Sequence, residues 1–355
     1  MSLVQRANQR AADLGIPLSA QVDLTWRCNE RCVHCYLDHD GFNEMSTEEV
    51  FSVLDQLAEA GVFFLSLSGG EIFLRKDLFE IIARARRLGF DIKLRTNGML
   101  IGEEEARRIR EFGVRQVQIS VYSHRPEVHD AITKVRGSLD RTIAAIRRLR
   151  GFGLEVIVAC VLMRSNRADY PGVQALAAEL GAKFTIDPTI TPHIGGDRSL
   201  LNLNIGRDDL FRVFHDPSIA GAGAEEMQTP GPVDEEALDA SPCSAGNTAC
   251  YVSPTGDVFP CVQFPLPCGN IRSQRFADIW YRSQAMQEVR SIRVRDLPSC
   301  SRCVHGGSCS RCPGLAYMEG NMRGPSTADC EKSLARTGVA SRNLQSHFVQ
   351  IQAAC

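Results

Sequence analysis

The sequence predicts an α/β chain: an open, partial (β/α)6 barrel of the TIM type, followed by a smaller cysteine-rich domain. Three observations predict it. Over the first two hundred residues, six short apolar segments alternate with amphipathic helical ones, the pattern of parallel strands joined by right-handed crossovers. Gly89, Gly113, Gly153 and Gly181 each stand between a helical segment and the strand after it, where a left-handed C-cap belongs. Ten of the 14 cysteines fall after residue 240. Six units are fewer than the eight of a closed barrel, so the barrel is expected to stay open.

The strands are expected at 20–25, 62–67, 91–96, 115–120, 154–161 and 183–187. Between the first two, Ser46 and Glu49 have capping-box spacing. Val50, Val53, Leu54 and Leu57 then form one apolar face, and Gly61 ends the helix. Asp77 is expected to cap the next helix, with Leu78, Ile81, Ile82, Ala85 and Leu88 on its inner side. Helices at 103–112, 138–152 and 170–180 follow the same plan. Arginines on the outer helices, such as Arg86, Arg108 and Arg148, read as a solvated face. Ligands of such sheets bind at the carboxyl ends of the strands.

Composition narrows the function. Lys and Arg number 40 against 42 Asp and Glu, a net charge of −2. That balance gives no field to attract nucleic acid or an anionic membrane. The longest apolar run, 156–163, is too short to span a bilayer. The first fifteen residues hold no apolar core of a secretory signal. A cytoplasmic location is expected, where disulfides are rare and clustered cysteines point to metal. The organisation expected is an N-terminal helix or extension at 1–17, the barrel core at 18–215, a linker at 216–242, a cysteine domain at 243–332 and a C-terminal helix or tail at 333–355.

Cys28, Cys32 and Cys35 follow the first strand with Cx3Cx2C spacing. Three thiolates can hold a 4Fe–4S cube and leave one iron open for a substrate or cofactor, by the logic of an open catalytic metal site. Zinc is the alternative, with His34 or His39 as a fourth ligand. The segment Cys28-Asn-Glu-Arg-Cys32-Val-His-Cys35-Tyr resembles the signature of radical S-adenosylmethionine (SAM) enzymes, with His34 at the position usually aromatic. Ser68-Gly69-Gly70-Glu71 resembles that family's GGE motif, where glycines let backbone carbonyls approach the SAM ammonium closely. The resemblance implies that the open iron chelates SAM and that reductive cleavage gives a 5′-deoxyadenosyl radical. It also implies SAM contacts from Gly69, Gly70, Glu71, Asn97 and Ser120, and from Leu162 beside Val161. One departure stands out. In His129-Asp130-Ala131-Ile132, similar to the family's HDxIRG stretch, Thr133 replaces the arginine.

The C-terminal array contains two CxxC units, Cys300/Cys303 and Cys309/Cys312, which by themselves would suit zinc. With Cys243, Gly256-Asp-Val-Phe-Pro-Cys261 and Gly269-Asn270, however, it resembles the SPASM extension of radical SAM peptide maturases. That resemblance implies a hairpin turned at Gly256 and two auxiliary 4Fe–4S clusters, the first on Cys243, Cys250, Cys261 and Cys312, the second on Cys300, Cys303, Cys309 and Cys330. Here CX2CX5CX2C stands where the family usually has CX2CX5CX3C, which bears on Cys312. Two complete sets of four favour electron transfer over direct substrate ligation. Cys160 is expected in the core, with Cys268 and Cys355 surplus.

The function implied is a radical SAM/SPASM oxidoreductase with SAM and three 4Fe–4S clusters, oxidatively modifying a ribosomally made peptide in RiPP biosynthesis. Alternatives are a tetrapyrrole-modifying enzyme, a peptide epimerase, a sulfatase-type maturase, or an iron–sulfur or zinc scaffold without turnover. On the loop after the sixth strand, His193 and Asp197 are candidate catalytic residues beside Thr189, with Tyr122 and Ser123 similar candidates after the fourth. The first twenty residues are too short for a leader-binding domain, so if a leader is used its recognition is expected from a separate leader-binding protein or from the barrel itself, with a flavodoxin or ferredoxin as reductant.

Overall fold

The computed structural model describes residues 3–37, 39, 43–220 and 228–338. Helix α1 (Leu3–Leu14) precedes six β/α units built on β1 (Ser19–Asp23), β2 (Phe64–Ser68), β3 (Asp91–Thr96), β4 (Gln116–Ser120), β5 (Glu155–Val161) and β6 (Lys183–Asp187). All neighbouring pairs among the six are parallel. The intervening helices are α2 (Thr47–Glu59), α3 (Leu78–Arg87), α4 (Glu103–Glu111), α5 (Pro126–Thr133), α6 (Ser138–Gly151) and α7 (Tyr170–Glu179). The expected capping box is present: Ser46 Oγ accepts from the Glu49 amide and Glu49 reaches back to the Ser46 amide. Asp77 departs from expectation. It sits at the N-cap of α3 without capping it, because its carboxylate is engaged by the Arg75 guanidinium at 2.5 Å and by the Thr47 hydroxyl at 2.7 Å.

Strand parity divides the sheet's two faces. Val22, Leu67, Ile92, Ile119 and Val158 face the helices and join one continuous apolar core. Gln21, Lys93, Arg95, Gln118, Thr185 and Asp187 line the lumen instead. The lumen is therefore polar and keeps a cavity open, whereas a closed TIM barrel fills its lumen with branched apolar side chains.

The sheet does not end at β1. Strand β7 (Ala249–Val252) adds to the free edge of β1 in parallel, and β8 (Asp257–Phe259) and β9 (Gly269–Asn270) continue antiparallel, giving the order β6-β5-β4-β3-β2-β1-β7-β8-β9. The β7–β8 turn places Gly256 at φ +86°, the left-handed region glycine enters without penalty. The helix Thr327–Arg336 packs on α8 (Arg207–Phe214), with Arg207 paired to Glu331. The segment expected as a linker is partly built into this region. The Gly307 amide donates to the Gly231 carbonyl at 3.0 Å, and the Ser308 hydroxyl to the Thr229 carbonyl at 2.7 Å.

Candidate active site and auxiliary metal sites

The loop carrying Cys28, Cys32 and Cys35 is fixed from both sides. The amides of Gly70 and Glu71 donate to the carbonyls of Thr25 (2.7 Å) and Arg27 (2.8 Å). Opposite, the amides of Arg31 and Val33 donate to the C-terminal carbonyls of α5 at Thr133 and Ile132, both at 3.0 Å. The Asn97 amide group donates to Asn29 Oδ1 at 2.7 Å. The glycine pair is required by this close passage. A Cβ on Gly69 would lie 2.3 Å from the Thr25 carbonyl oxygen, and one on Gly70 2.3 Å from that of Arg27. The three cysteines, Ser68, Gly69 and Gly70 border a cavity of about 520 Å³ at the carboxyl ends of the strands.

Burial pushes the Cys28 thiol up to about 12 and raises those of Cys32 and Cys35. Protonated thiols are thus favoured until a metal binds, because a coordinating thiol is deprotonated outright. Beside them Glu30 is buried, accepts from the Cys32 thiol at 3.2 Å, and is raised by burial to about 7. Asp23 lies at the end of β1 and accepts from Gln21 (2.9 Å), Tyr251 (3.0 Å) and Tyr36 (3.3 Å). Burial raises it to about 6 despite these bonds. His34 packs edge-on against Tyr122 with ring centroids 4.7 Å apart, and burial lowers it to about 4. Among the described residues, no group of three or more His, Cys, Asp or Glu side chains is arranged to hold a single metal ion. The three thiols instead surround a cavity, the arrangement a polynuclear cluster needs, and thiolates are the donors iron–sulfur clusters take.

Several expected SAM residues meet at this cavity: Gly69, Gly70, Asn97 and Ser120, with Val161 and Tyr122. Glu71 lies behind it. Its fully buried carboxylate accepts from the Thr96 hydroxyl at 2.8 Å and from the amides of Asn97 (2.9 Å) and Phe73 (3.0 Å). Leu162 is in the helix-side core, with its amide bonded to the Asp187 carbonyl at 2.8 Å. Ser123 turns away to Asp169 at 2.6 Å. The loop after β6 reaches the cavity through Asp187, Thr189 and Thr191, and its Ile194 amide donates to the Tyr36 carbonyl at 2.9 Å. His193 and Asp197 lie further out, beyond the lining. Asp197 is exposed and accepts from the Ser199 amide (2.9 Å) and hydroxyl (2.7 Å), and its carbonyl accepts from the His193 amide at 3.1 Å. Asp23, Lys93, Arg95 and Gln118 were missed from sequence. Their signal is a polar residue at every second position of strands whose other face is apolar.

The later cysteines border two further cavities. One, of about 310 Å³, has Cys300, Cys303, Cys309 and Cys330 in its wall. The other, of about 430 Å³, has Cys243, Cys261 and Cys312. Arg311 borders both, its guanidinium donating to the carbonyls of Gly324 and Met322. Burial pushes the Cys243 thiol up to about 12, and the Arg311 charge opposes this. Cys250 touches the wall of the second cavity, but its side chain is placed differently. It sits opposite Ala20 in the β1–β7 register and joins the helix-side core with Cys268, Trp280 and Met286. Cys160 is also in that core, and Cys355 lies outside the described residues. The donor sets suit iron–sulfur clusters in both cavities.

Comparison with known proteins agrees with this geometry. Residues 22–173 match the radical SAM superfamily model, and residues 243–304 match the SPASM iron–sulfur cluster-binding domain. The chain is 34% identical to a PqqA peptide cyclase of Xanthomonas campestris pv. campestris, over 91% of this chain and 89% of that one. It is 28% identical to an AdoMet-dependent heme synthase of Oleidesulfovibrio alaskensis, over 83% and 82%. In fold it is similar to Streptococcus suis SuiB bound to its precursor peptide SuiA, with a TM-score of 0.74, 18% identity, and 92% of this chain and 80% of that one covered.

Proposed function

The chain belongs to the radical SAM superfamily and carries its SPASM iron–sulfur cluster-binding domain, and from that premise we propose that it is a cytoplasmic maturase that oxidatively modifies a ribosomally made peptide. The observation that carries this reading is the adjacency of the cavities. Gln21, Lys93, Arg95, Val262 and Gln263 line both the Cys28–Cys32–Cys35 cavity and the Cys243–Cys261–Cys312 cavity. A substrate carbon at the barrel mouth would therefore lie between a place where hydrogen can be removed and a place where an electron can leave. The 34% identity to a PqqA peptide cyclase supports a peptide substrate.

When bound, SAM and three 4Fe–4S clusters supply the radical and the electron path. The chain's own residues do the rest. Cys28, Cys32 and Cys35 hold the first cluster on a loop locked to α5 and to the Gly69-Gly70 turn. Gly69, Gly70, Asn97 and Ser120 hold SAM, and Glu71 positions Asn97. Tyr122 and His34 shield one side from water. Thr189 and Thr191 meet the peptide, while His193 and Asp197 form the outer rim of its entrance. Cys300, Cys303, Cys309 and Cys330 hold the outer auxiliary cluster. A separate leader-binding protein and a flavodoxin or ferredoxin complete the system.

The test is co-expression, under anaerobic conditions, with the short peptide encoded beside the gene, read by intact mass. Loss of two hydrogens establishes an oxidative cross-link. Unchanged mass with solvent deuterium incorporated means epimerisation instead. No change of either kind favours the second reading, a tetrapyrrole substrate, to which the 28% identity with an AdoMet-dependent heme synthase points.

A further inference from the structure

The nine-stranded sheet ends in β9, two residues long, and in β6, five residues long. On β6 the register pairs Asp187 with Val161 of β5, and the Leu162 amide donates to the Asp187 carbonyl at 2.8 Å. In a parallel pair each residue sends its N–H and its C=O to the same side, and neighbouring residues alternate. Lys183, Thr185 and Asp187 therefore bond to β5 through their backbones, and Phe184 and Ile186 face away from it. Among the described residues, the outward amides and carbonyls of Phe184 and Ile186 have no hydrogen-bond partner. Backbone donors and acceptors are seldom left unpaired away from water, so this row looks to solvent or to a ligand.

Sheet edges are ordinarily blunted by an outward charge, a proline or a bulge. The register of β6 runs without a bulge. Its lysine, Lys183, is drawn back to Glu155 of β5 at 3.1 Å. Pro188 takes the next outward position and has no N–H to give. The edge thus offers donors at Phe184 and Ile186 and stops where the chain leaves the strand.

The SAM-type cavity is open along this same strand. Thr185 and Asp187 belong to its lining and are exposed, whereas Gln21, Lys93, Arg95 and Gln118 on the inner strands are half-buried. Thr189, just beyond Pro188, lines the cavity and is buried. Phe184 and Ile186 pack their side chains on the helix-side core, which leaves their main chain at the edge.

We propose that the free edge of β6 is the docking strand for the substrate peptide. About four peptide residues lie beside it as an added extended strand, bonded to the backbones of Phe184 and Ile186, and the adjoining residues turn into the cavity past Asp187 and Thr189. This rests on the maturase reading above. An extended peptide answers a row of alternating amides and carbonyls, and a tetrapyrrole has no such row. Main-chain bonding gives affinity without fixing side chains, and the pleat aims every second peptide side chain at the lumen.

The test uses the reconstituted full chain with S-adenosylhomocysteine, which supplies no radical, and the synthetic precursor peptide. Fluorescence anisotropy of the labelled peptide gives its Kd. If the peptide does not bind, the maturase reading falls and this inference with it. Hydrogen–deuterium exchange, resolved to single amides by fragmentation, is then compared without peptide and with peptide at about 100 times its Kd. The amides of Phe184 and Ile186 are expected to exchange freely in the unbound protein and to slow by up to about 100-fold on binding. Bound peptide with both amides unaltered overturns the inference and spares the maturase reading. So does slowing of both amides with rising protein concentration in the absence of peptide, which would give the edge to a second copy of the chain. A second measurement leaves the protein unchanged and compares the Kd of peptides N-methylated at one position at a time. Loss of a main-chain hydrogen bond should weaken binding by about 2- to 13-fold at two amides separated by one residue. The amide between them should tolerate the methyl to within about twofold. Weakening at three successive amides, or at none, overturns the added strand.

Discussion

Glu71 offers a sharp test of how the SAM site is built. Its motif suggests a direct hold on the ligand, but its carboxylate is fully buried and committed to three donors on the chain itself. Replacing it by Ala orphans the amides of Phe73 and Asn97 together with the Thr96 hydroxyl. The hydroxyl can rotate to another acceptor, but the two amides cannot. An unsatisfied buried donor costs about 1–3 kcal/mol. Local opening at Phe73 and Asn97 should therefore become about 5- to 150-fold more frequent. Hydrogen–deuterium exchange of SAM-free protein reads this directly, without a global unfolding transition. Glu71→Gln keeps one acceptor oxygen, so only one of the two amides should speed up, by about fivefold to tenfold. SAM affinity should fall in both variants, because Asn97 loses its seat. Exchange in Glu71→Ala within about twofold of wild type, with SAM binding lost, would refute the clamp and return Glu71 to a ligand contact.

Three further outcomes follow from the site. Gly70→Ala should displace the Cys28 loop, since the new methyl lies 2.3 Å from the Arg27 carbonyl oxygen; iron analysis should show a loss of about four irons per chain, and a full complement would contradict the steric argument. Asp23 is raised by burial to about 6 from an ordinary 3.8. Folding thus favours its protonated form, and the stability this group contributes is present in acid and lost as pH rises through 6. The thermal midpoint of wild type, relative to Asp23→Asn, should fall as pH rises from 3.8 to about 6 and level off above that, and parallel curves would count against it. Arg311 borders both auxiliary cavities, so Arg311→Met should lower both auxiliary reduction potentials, by on the order of 50 mV, with Arg311→Lys recovering much of the shift in a redox titration.

Much of the barrel was legible because each unit repeats the same local grammar. Short apolar segments between helical ones located β1–β6 to within two residues, and Ser46 with Glu49 announced the start of α2. The cysteine groups were visible as spacing. What spacing cannot carry is direction. Cys250 is near the other ligands in sequence and even in space, but the parity of β7 turns its side chain into the core. His193 and Asp197 follow the right strand, yet neither lines the cavity that Asp187, Thr189 and Thr191 reach. Asp77 is a fair cap by type, but Arg75 two residues earlier competes for its carboxylate at 2.5 Å, and no local rule weighs that competition. The polar lumen was missed for a related reason: alternation puts polar residues such as Lys93, Arg95 and Gln118 on one strand face, but it does not say that this face encloses the site.

The pairing of β1 with β7 joins residues more than two hundred positions apart, Ser19 with Ala249 and Val22 with Val252. On a ribosome this sets an order of events. The six β/α units can assemble as they emerge, but the outer edge of β1 stays unpaired until Ala249–Val252 has been made. An open strand edge is a template for other chains, and contacts this distant in sequence form slowly. A chain cut after residue 215 would keep the edge open permanently, and its fate should be aggregation instead of an active half-enzyme.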